Sequence, residues 1–253
     1  MRIGIKVGSA LLVKEGASGN EINREFLLNL CRQIAELLRF GHEVFLVTSG
    51  AVASDGDESR SKALRAAIGQ PKLMELYRLF MGIFGTPVAQ MLLIADEFRV
   101  NRDHIAKILE EALAAKVLPV INANDAINSE ELDRLEEFAD NDRLFGEVCL
   151  LVRADAVIIC TEVDGLLDLD GSLIPEINDR NFERALELAQ GGSKFGHGPN
   201  GMQVKLRVGH ELSNAMNARV IIVNGHSENC LIRAFERLMS DPPMNFGTFF
   251  CLK

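Results

Sequence analysis

Aromatic and metal-binding residues are sparse in this sequence of 253 residues, which has no tryptophan, one tyrosine and five histidines. The histidines are dispersed and neither an HExxH nor a CxxC motif occurs, so the usual zinc signatures are missing. No GxSxG segment is present, which leaves a serine hydrolase of the nucleophile-elbow type unsupported. The five cysteines are scattered, and several lie within apolar runs. We therefore expect buried free thiols in a reducing compartment.

Basic patches and long apolar runs are also missing. The 27 lysines and arginines are outnumbered by 36 aspartates and glutamates, and the net charge of −9 argues against a nucleic-acid-binding surface. No apolar run approaches the ~20 residues that span a bilayer. The chain starts with Met1-Arg2-Ile3-Gly4-Ile5-Lys6, a strand pattern rather than a signal peptide. These features predict a cytoplasmic globular protein without membrane or nucleic-acid partners, and they leave small anionic substrates open.

Short β-branched runs alternate with amphipathic segments along the chain. Strands are predicted at 2–7, 44–47, 87–93, 117–121, 156–160 and 219–223, and helices at about 22–38, 62–84, 105–112, 144–152, 182–189 and 202–216. Such alternation requires crossover connections between parallel strands. It predicts an α/β fold with a mainly parallel sheet that is covered by helices on both faces.

Small or polar residues follow five of the predicted strands. These segments are Lys6-Val7-Gly8-Ser9, Thr48-Ser49-Gly50, Asn122-Ala123-Asn124-Asp125, Thr161-Glu162-Val163-Asp164-Gly165 and Asn224-Gly225. Ligands of open α/β sheets bind beyond the carboxyl ends of the strands, so together the five segments predict one shared cleft. Any single segment is more simply explained as a turn, because Gly, Asn, Asp and Ser are common turn formers.

Lys6 is the most informative of these residues. A lysine at the end of a buried first strand, followed by Gly8 and Ser9, places a cation beside backbone amides and predicts an anion site without a Walker A motif. The alternative is an edge lysine whose ammonium group reaches solvent.

A glycine-rich stretch, Gly196–Gly201, matches GxGxxG in form. A predicted helix precedes it and no acidic residue follows about twenty positions later, which disfavours a dinucleotide-binding fingerprint. Two interpretations remain. Either the start of helix 202–216 faces phosphate, with Lys205 in its first turn, or the stretch is a plain surface loop.

An acidic segment, Asp140-Asn141-Asp142, precedes another predicted helix. Asp140 or Asn141 fits an ordinary N-cap, the commonest role of such residues at that place. Together with Asp125, the segment also offers carboxylates that could orient lysines or hold a metal–nucleotide complex.

The order of these motifs carries more information than any one of them. The segments concerned are Lys6-Val7-Gly8-Ser9, Val47-Thr48-Ser49-Gly50-Ala51, Ala67-Ile68-Gly69-Gln70, Ala89-Gln90-Met91-Leu92-Leu93, Pro119-Val120-Ile121-Asn122-Ala123-Asn124-Asp125, Asp140-Asn141-Asp142, Thr161-Glu162-Val163-Asp164-Gly165-Leu166, Gly201-Met202-Gln203-Val204-Lys205-Leu206 and Gly247-Thr248-Phe249-Phe250. In this order they resemble the amino acid kinase family, and most closely its glutamate 5-kinase branch. The resemblance spans nearly the whole chain.

The resemblance implies a three-layer α/β/α sandwich with a mainly parallel central sheet. It implies one domain over residues 1–253, with an acceptor-binding half at about 1–150 and a nucleotide-binding half at about 151–253. Some members carry an additional C-terminal PUA domain, and we expect none here because the sequence ends before one could begin. Members usually assemble as dimers or tetramers, so a homo-oligomer is expected.

The activity that the resemblance implies is ATP-dependent phosphorylation of the side-chain carboxylate of L-glutamate. The product would be γ-glutamyl phosphate, formed in the first step of proline biosynthesis. ATP and Mg²⁺ are the implied cofactors, without a metal ligand on the protein itself.

Roles for individual residues follow from the same resemblance. Lys6 and Lys205 are expected to contact the transferred phosphoryl group, and Asp142 is expected to orient both lysines. The residues expected at the acceptor are Ser49, Gly50, Asp125 and Asn141. Those expected at the nucleotide are Gly8, Ser9, Thr161, Glu162, Gly201, Met202 and Lys205.

Four departures from the glutamate 5-kinase pattern keep other interpretations open. Ala123 and Ala139 replace a Glu and a Gly beside the acceptor residues, Glu162 replaces an Asp, and Pro199–Val204 replaces a Gly- and Thr-containing loop. The two alanines motivate a family relative with a different small acceptor. The altered loop motivates a non-catalytic protein that binds an amino acid or a nucleotide.

Overall fold

The computed structural model of the chain describes residues 1–16, 19–127, 141–190, 201–240 and 246–251, without the side chains of 95–97. The predictions for Ala139, Asp140 and the 191–200 part of the glycine-rich loop lie outside these ranges. The described strands are β1 (Arg2–Val7), β2 (Val13–Gly16), β3 (Gly19–Ile22), β4 (Glu43–Val47), β5 (Val88–Leu93), β6 (Leu118–Ala123), β7 (Ala156–Thr161), β8 (Glu176–Ile177), β9 (Arg219–Asn224) and β10 (Thr248–Phe250). The described helices are α1 (Ser9–Leu12), α2 (Arg24–Arg39), α3 (Lys62–Ile83), α4 (Ala95–Val100), α5 (Arg102–Ala114), α6 (Asn141–Val152), α7 (Phe182–Gln190), α8 (Gly201–Met216) and α9 (Cys230–Met239).

An eight-stranded sheet in the order β5-β6-β4-β1-β7-β9-β10-β8 forms the centre of the molecule. The first six strands in that order are parallel to one another. β10 pairs antiparallel with β9, and β8 pairs parallel with β10. β2 and β3 form a separate antiparallel hairpin. The predicted α/β class with a mainly parallel central sheet is confirmed.

Both faces of the sheet are buried. Successive residues of a strand point to opposite faces, and on β7 Ile158 belongs to one apolar cluster while Val157 and Ile159 belong to the other. The first cluster contains side chains of α2, α3 and α9, and the second contains side chains of α5, α6, α7 and α8. Two layers of helices therefore enclose the sheet, as expected for a three-layer α/β/α sandwich.

The sequence patterns miss some elements and shift the bounds of others by a few residues. Ile22, which we expected in the helix at about 22–38, lies in β3. That helix, α2, starts later because Asn23 caps it: the Asn23 Oδ1 accepts a hydrogen bond from the amide of Phe26 at 3.2 Å. The hairpin, α1, α4, α9, β8 and β10 have no counterpart in the predicted elements. Within the described ranges, no helix combines the length and the apolar character that crossing a bilayer requires.

The five cysteines are free thiols, as expected. Cys31, Cys149, Cys160 and Cys230 are buried, and Cys251 is partly exposed. Burial raises the pKa of the Cys31 thiol to about 12, which keeps it protonated and unreactive at neutral pH.

Thr248 ties β10 to the segment that follows β7. Its Oγ1 accepts a hydrogen bond from the amide of Leu166 at 2.8 Å and donates one to the carbonyl of Ile174 at 2.7 Å. Gly165 makes room for this hydroxyl, because a Cβ at that position would lie 2.4 Å from it, and its φ of +147° also favours glycine. The loop that carries Thr161 and Glu162 is thereby anchored to the far edge of the sheet.

Replacing Thr248 by valine should lower the free energy of unfolding by about 2–3 kcal/mol, because each abandoned buried group costs about 1–3 kcal/mol. Thr248→Ser is the matched control, since it keeps the hydroxyl and loses one methyl group, at about 1 kcal/mol. Urea unfolding of both variants checks the prediction. A valine variant that is as stable as the serine variant would contradict it.

Candidate active site

A cavity of about 610 Å³ lies at the carboxyl ends of β1, β4, β6 and β7. The predicted site residues on its walls are Lys6, Gly8, Ser9, Ser49, Gly50, Asp125, Asn141, Asp142, Thr161, Glu162, Gly201 and Lys205. Four of the five polar strand ends thus share one cleft. The size of the cavity is that of ordinary small-molecule sites.

The fifth strand end and one predicted residue lie elsewhere. Asn224 and Gly225 do not line the cavity but hydrogen-bond to the segment at the end of β7 that does. The Asn224 side chain donates to Asp164 at 3.0 Å, and the Gly225 amide donates to the carbonyl of Thr161 at 2.8 Å. Met202 packs against the apolar cluster of α6, α7 and α8 rather than lining the cavity. An apolar side chain in the first turn of a half-buried helix favours the core, which accounts for this difference from the predicted nucleotide contact.

The positions of Lys6 and Asp142 follow from close packing of β1 against α6. Gly4 and Lys6 point to the same face of β1, and a Cβ at Gly4 would lie 2.7 Å from the ring of Phe45 and 3.1 Å from the ring of Phe145. Helix α6 therefore rests directly on the strand. Asp142 precedes Phe145 by three positions, so it lies on the same side of the helix, above Lys6.

A second close approach brings Lys205 to the same carboxylate. A Cβ at Gly146 would lie 3.2 Å from Val208, so α6 and α8 pack closely at this point. Lys205 precedes Val208 by three positions and shares its side of α8. It therefore points toward Asp142 and contacts the carboxylate oxygen that Lys6 does not.

Lys6, Asp142 and Lys205 form a buried cluster of two cations and one anion at the base of the cavity. The Lys6 Nζ lies 2.5 Å from Asp142 Oδ1, and the Lys205 Nζ lies 2.8 Å from Oδ2. The side chain of Lys6 is 5% exposed, that of Lys205 9% and that of Asp142 4%. Lys205 also donates to the carbonyl of Gly201 at 3.2 Å. The cluster carries one positive charge in excess, which favours an anion in the cavity.

The pKa of Asp142 is set by two opposing effects. Burial acts to raise the pKa of this carboxyl, but the ammonium groups of Lys6 and Lys205 together hold the pKa below its ordinary value. Asp142 is therefore ionised at neutral pH, and it can bind both lysines at once.

The turn after β4 supplies the Ser49 and Gly50 wall. Gly50 has a φ of +89°, and its carbonyl accepts hydrogen bonds from the amide and the hydroxyl of Ser54 at 2.9 and 2.7 Å. The backbone of α3 packs directly against the backbone of this turn at Gly69, because a Cβ at that position would lie 1.9 Å from the carbonyl oxygen of Ala51. The turn is thereby fixed in position, as a ligand-binding wall requires.

Asn141 connects α6 to the end of β6. Its Oδ1 accepts a hydrogen bond from the amide of Ala123 at 3.1 Å. The neighbouring Asn122 side chain, 1% exposed, donates to Gln70 Oε1 at 2.7 Å and so connects β6 to α3. Sequence reasoning assigned no contact to Asn122 and Gln70, although both lie in the motifs that carry the family resemblance.

Two cations that sequence reasoning missed also line the cavity. Lys62 and Arg65 lie in the first turn of α3, after Ser61, whose Oγ accepts a hydrogen bond from the amide of Leu64 at 3.3 Å. Charged residues at a helix start are usually solvated, so their position near the Ala67–Gln70 motif was the only signal in the sequence.

The donors on the cavity walls suit a polyphosphate anion. They include two ammonium groups, the Ser9 and Thr161 hydroxyls, and the start of α8 at Gly201, where backbone amides of the first turn have no partner within the helix. Gly8 leaves open the space next to the cluster, since a Cβ there would lie 4.0 Å from the Lys6 Nζ. Within the described ranges no group of three or more His, Cys, Asp or Glu side chains is placed to hold a metal ion, so we assign no metal ligand.

Comparison with known proteins identifies the family of the chain. The model of the amino acid kinase family matches residues 1–224. A glutamate 5-kinase from Wolinella succinogenes is 41% identical over 199 residues, which cover 74% of this chain and 75% of that protein. A glutamate 5-kinase from Listeria monocytogenes is 32% identical, with coverage of 100% of this chain and 96% of that protein.

A solved structure shows the same fold at low sequence identity. Carbamate kinase from Giardia lamblia, bound to AMP-PNP, superimposes with a TM-score of 0.67 at 15% identity, covering 100% of this chain and 98% of that one. The family match and the glutamate 5-kinase relatives identify a protein of the phosphotransferase class. The chain belongs to the amino acid kinase family, and its curated relatives described here are glutamate 5-kinases.

Proposed function

We propose that this chain transfers the γ-phosphoryl group of ATP to the side-chain carboxylate of L-glutamate, giving γ-glutamyl phosphate for proline biosynthesis. The observation that carries the proposal is the buried Lys6–Asp142–Lys205 cluster at the base of the cavity. The identity of 32–41% to glutamate 5-kinases supports glutamate as the acceptor.

The two halves of the chain contribute different walls of the cavity. Residues of about 1–150 supply Ser49, Gly50, Asp125 and Asn141, to which we assign the acceptor. The later residues supply Thr161, Glu162, Gly201 and Lys205, which with Gly8 and Ser9 we assign to ATP. The AMP-PNP bound to the Giardia carbamate kinase supports a nucleotide in this fold.

The chemistry requires little from the protein beyond positioning and positive charge. A carboxylate is already a nucleophile at pH 7, so no general base is needed. One carboxylate oxygen forms a bond to the γ-phosphorus while the bond from that phosphorus to the β,γ-bridging oxygen breaks, and ADP leaves with the electron pair. No proton is transferred in this step.

The barrier comes from bringing two anions together and from charge on the migrating group. Lys6 and Lys205 contact different oxygens of the Asp142 carboxylate, which holds both ammonium groups in position, so the positive charge is in place before the substrates meet. When bound with ATP, Mg²⁺ supplies further positive charge at the phosphates.

A hydroxylamine-trapping assay tests the proposed function. Purified protein with ATP, Mg²⁺ and glutamate should release ADP and form the glutamyl hydroxamate in equal amounts, and neither should form without glutamate. Hydroxamate or ADP that depends on another acceptor alone would replace glutamate in the proposal. Binding of nucleotide or glutamate in calorimetry without turnover would overturn the catalytic assignment.

We also propose that the chain forms a homo-oligomer, as the family resemblance implies. Leu79, Ile83 and Phe84 near the end of α3 are 54%, 64% and 38% exposed, and exposed apolar residues in one place favour association. Sedimentation velocity should show a species larger than the 27.9 kDa monomer. A single monomeric species at micromolar concentration would contradict this proposal.

A further inference from the structure

Arg65 is a cation on the cavity wall that the phosphoryl-transfer step leaves without a role. It lies in the first turn of α3 and lines the same cavity as Lys6 and Ser49. Lys6 and Lys205 are occupied by Asp142 and the migrating group. An acceptor amino acid has a second carboxylate, which needs a separate cation if it is to enter this cavity without large desolvation cost.

The guanidinium group of Arg65 is held along one edge. Its Nε and Nη2 atoms both lie 3.4 Å from the backbone carbonyl of Asp55. Asp55 is itself fixed, because its buried carboxylate accepts two hydrogen bonds from Arg60 Nη1 at 2.9 and 3.0 Å and lies 3.5 Å from the Lys72 Nζ. The described contacts of Arg65 therefore use Nε and Nη2, and they leave Nη1 for a ligand.

Arg65 differs from Lys6, Lys205 and Arg60, each of which forms an ion pair with a buried carboxylate. Among the residues that the structure describes, no carboxylate lies within 4.0 Å of its guanidinium nitrogens, whereas Arg60 pairs with both Asp55 and Asp57. Arg65 is half-buried. Its charge helps to lower the pKa of exposed Asp57, but only after the larger effect of hydrogen bonds from Ser59. A partly desolvated, anchored and unpaired guanidinium is suited to binding a carboxylate.

We propose that Arg65 binds the α-carboxylate of the acceptor and makes the site selective for dicarboxylates. The inference rests on the proposed function, because it requires the acceptor's other carboxylate to lie at Lys6 and Lys205. Arg65 stands on the acceptor half of the cavity, beside the turn of Ser49 and Gly50. Selectivity would arise because an acceptor without the second carboxylate leaves the guanidinium unpaired and partly buried.

A pair of matched ligands tests this role. L-Isoglutamine has the size and side-chain carboxylate of glutamate, but its α-carboxylate is replaced by a neutral amide. In calorimetry, Arg65→Gln should raise the Kd of glutamate roughly 10–100-fold, the range for a hydrogen bond to a charged group. The Kd of isoglutamine should change less than about threefold, so the preference for glutamate largely disappears. In the hydroxamate assay the loss should appear in KM with kcat nearly unchanged.

Two further variants separate recognition from structure. Lys72→Gln is the matched control, because Lys72 is also a cation of α3 beside Asp55 but is not among the residues that line the cavity, and it should keep the glutamate preference of the wild type. Arg65→Lys should recover part of the preference, since it restores the charge without the planar fork.

The outcomes distinguish this inference from the proposed function. If Arg65→Gln keeps the wild-type preference, or weakens both ligands equally, Arg65 has no role in recognising the α-carboxylate even though glutamate is phosphorylated. If the wild type binds isoglutamine too weakly to measure, the glutamate Kd of Arg65→Gln must still rise at least tenfold above that of Lys72→Gln. If the wild type forms no hydroxamate with glutamate, it is the proposed function that fails.

Discussion

Lys6→Met should lower the turnover number by roughly 10²-fold or more, the cost of removing one preorganised charged donor from a phosphoryl-transfer site. Folding should be little affected. Asp142 keeps its 2.8 Å contact with Lys205, so the buried cluster retains one anion for one cation. Methionine also fills much of the space of the lysine stem, because both side chains are long and unbranched.

The hydroxamate assay and thermal unfolding check this prediction together. Lys14→Met is the matched control: the Lys14 side chain is 54% exposed on the hairpin, and its contact with Glu21 is 3.6 Å long. This control should keep wild-type turnover and stability. A Lys6→Met enzyme that retains turnover within a few-fold of the wild type would remove Lys6 from the phosphoryl site.

Asp142→Asn should abolish most of the turnover and also destabilise the fold, by about 3–5 kcal/mol. The substitution leaves the ammonium groups of Lys6 and Lys205 buried beside each other without an anion. An amide can accept a hydrogen bond from only one of them through its single oxygen. Urea unfolding at pH 7 measures the loss, and an asparagine variant of wild-type stability would show that the two lysines are not close in solution.

The destabilisation should depend on pH in one direction. Because the folded-state pKa of Asp142 lies below its unfolded value, the carboxylate stabilises the fold fully above an ordinary pKa of about 3.9 and loses that contribution as the pH falls through the lower, folded value. The stability difference between wild type and Asp142→Asn should therefore be constant from pH 6 to 7 and shrink below about pH 4. A difference that grows as the pH falls would contradict the ionised cluster.

The central strands were predictable from sequence because each satisfies two rules at once. Ala156–Cys160 is a continuous apolar run of strand length, and Thr161 and Glu162 follow it as polar residues. Such runs are typical of parallel strands buried on both faces, and polar residues at their carboxyl ends are typical of ligand sites. Local pattern and tertiary role agree in these segments, so the sheet and its cleft could be inferred together.

The missed elements are those that local pattern does not specify. β2 contains Lys14 and Glu15, which are exposed on both sides of a two-stranded hairpin, so no buried alternation marks it. β10 has three residues and owes its place to hydrogen bonds with β8 and β9 on either side. Strands of this kind are fixed by their neighbours in the fold rather than by their own residues.

The same distinction applies to the site. Lys6, Asp142 and Lys205 could be assigned to one cluster only through the family resemblance, because nothing in their spacing along the chain brings them together. Their meeting depends on close helix packing at glycines such as Gly146, which no periodicity reveals. Arg65 was not predicted as a site residue, because an arginine at the start of a helix is usually explained as an exposed, solvated side chain.

The pairing of β1 with β7 has a consequence for the order of events in folding. Ile3 lies opposite Ala156, so the strand that carries Lys6 is completed only when distant parts of the chain have met. Contacts between such distant segments are slow to form, because a large loop must close before they add any stabilisation. Helices such as α2 can appear earlier in refolding, while the two ammonium groups are still far apart. Under the proposed function, a newly made or partly refolded chain should therefore transfer no phosphoryl group until its sheet has assembled.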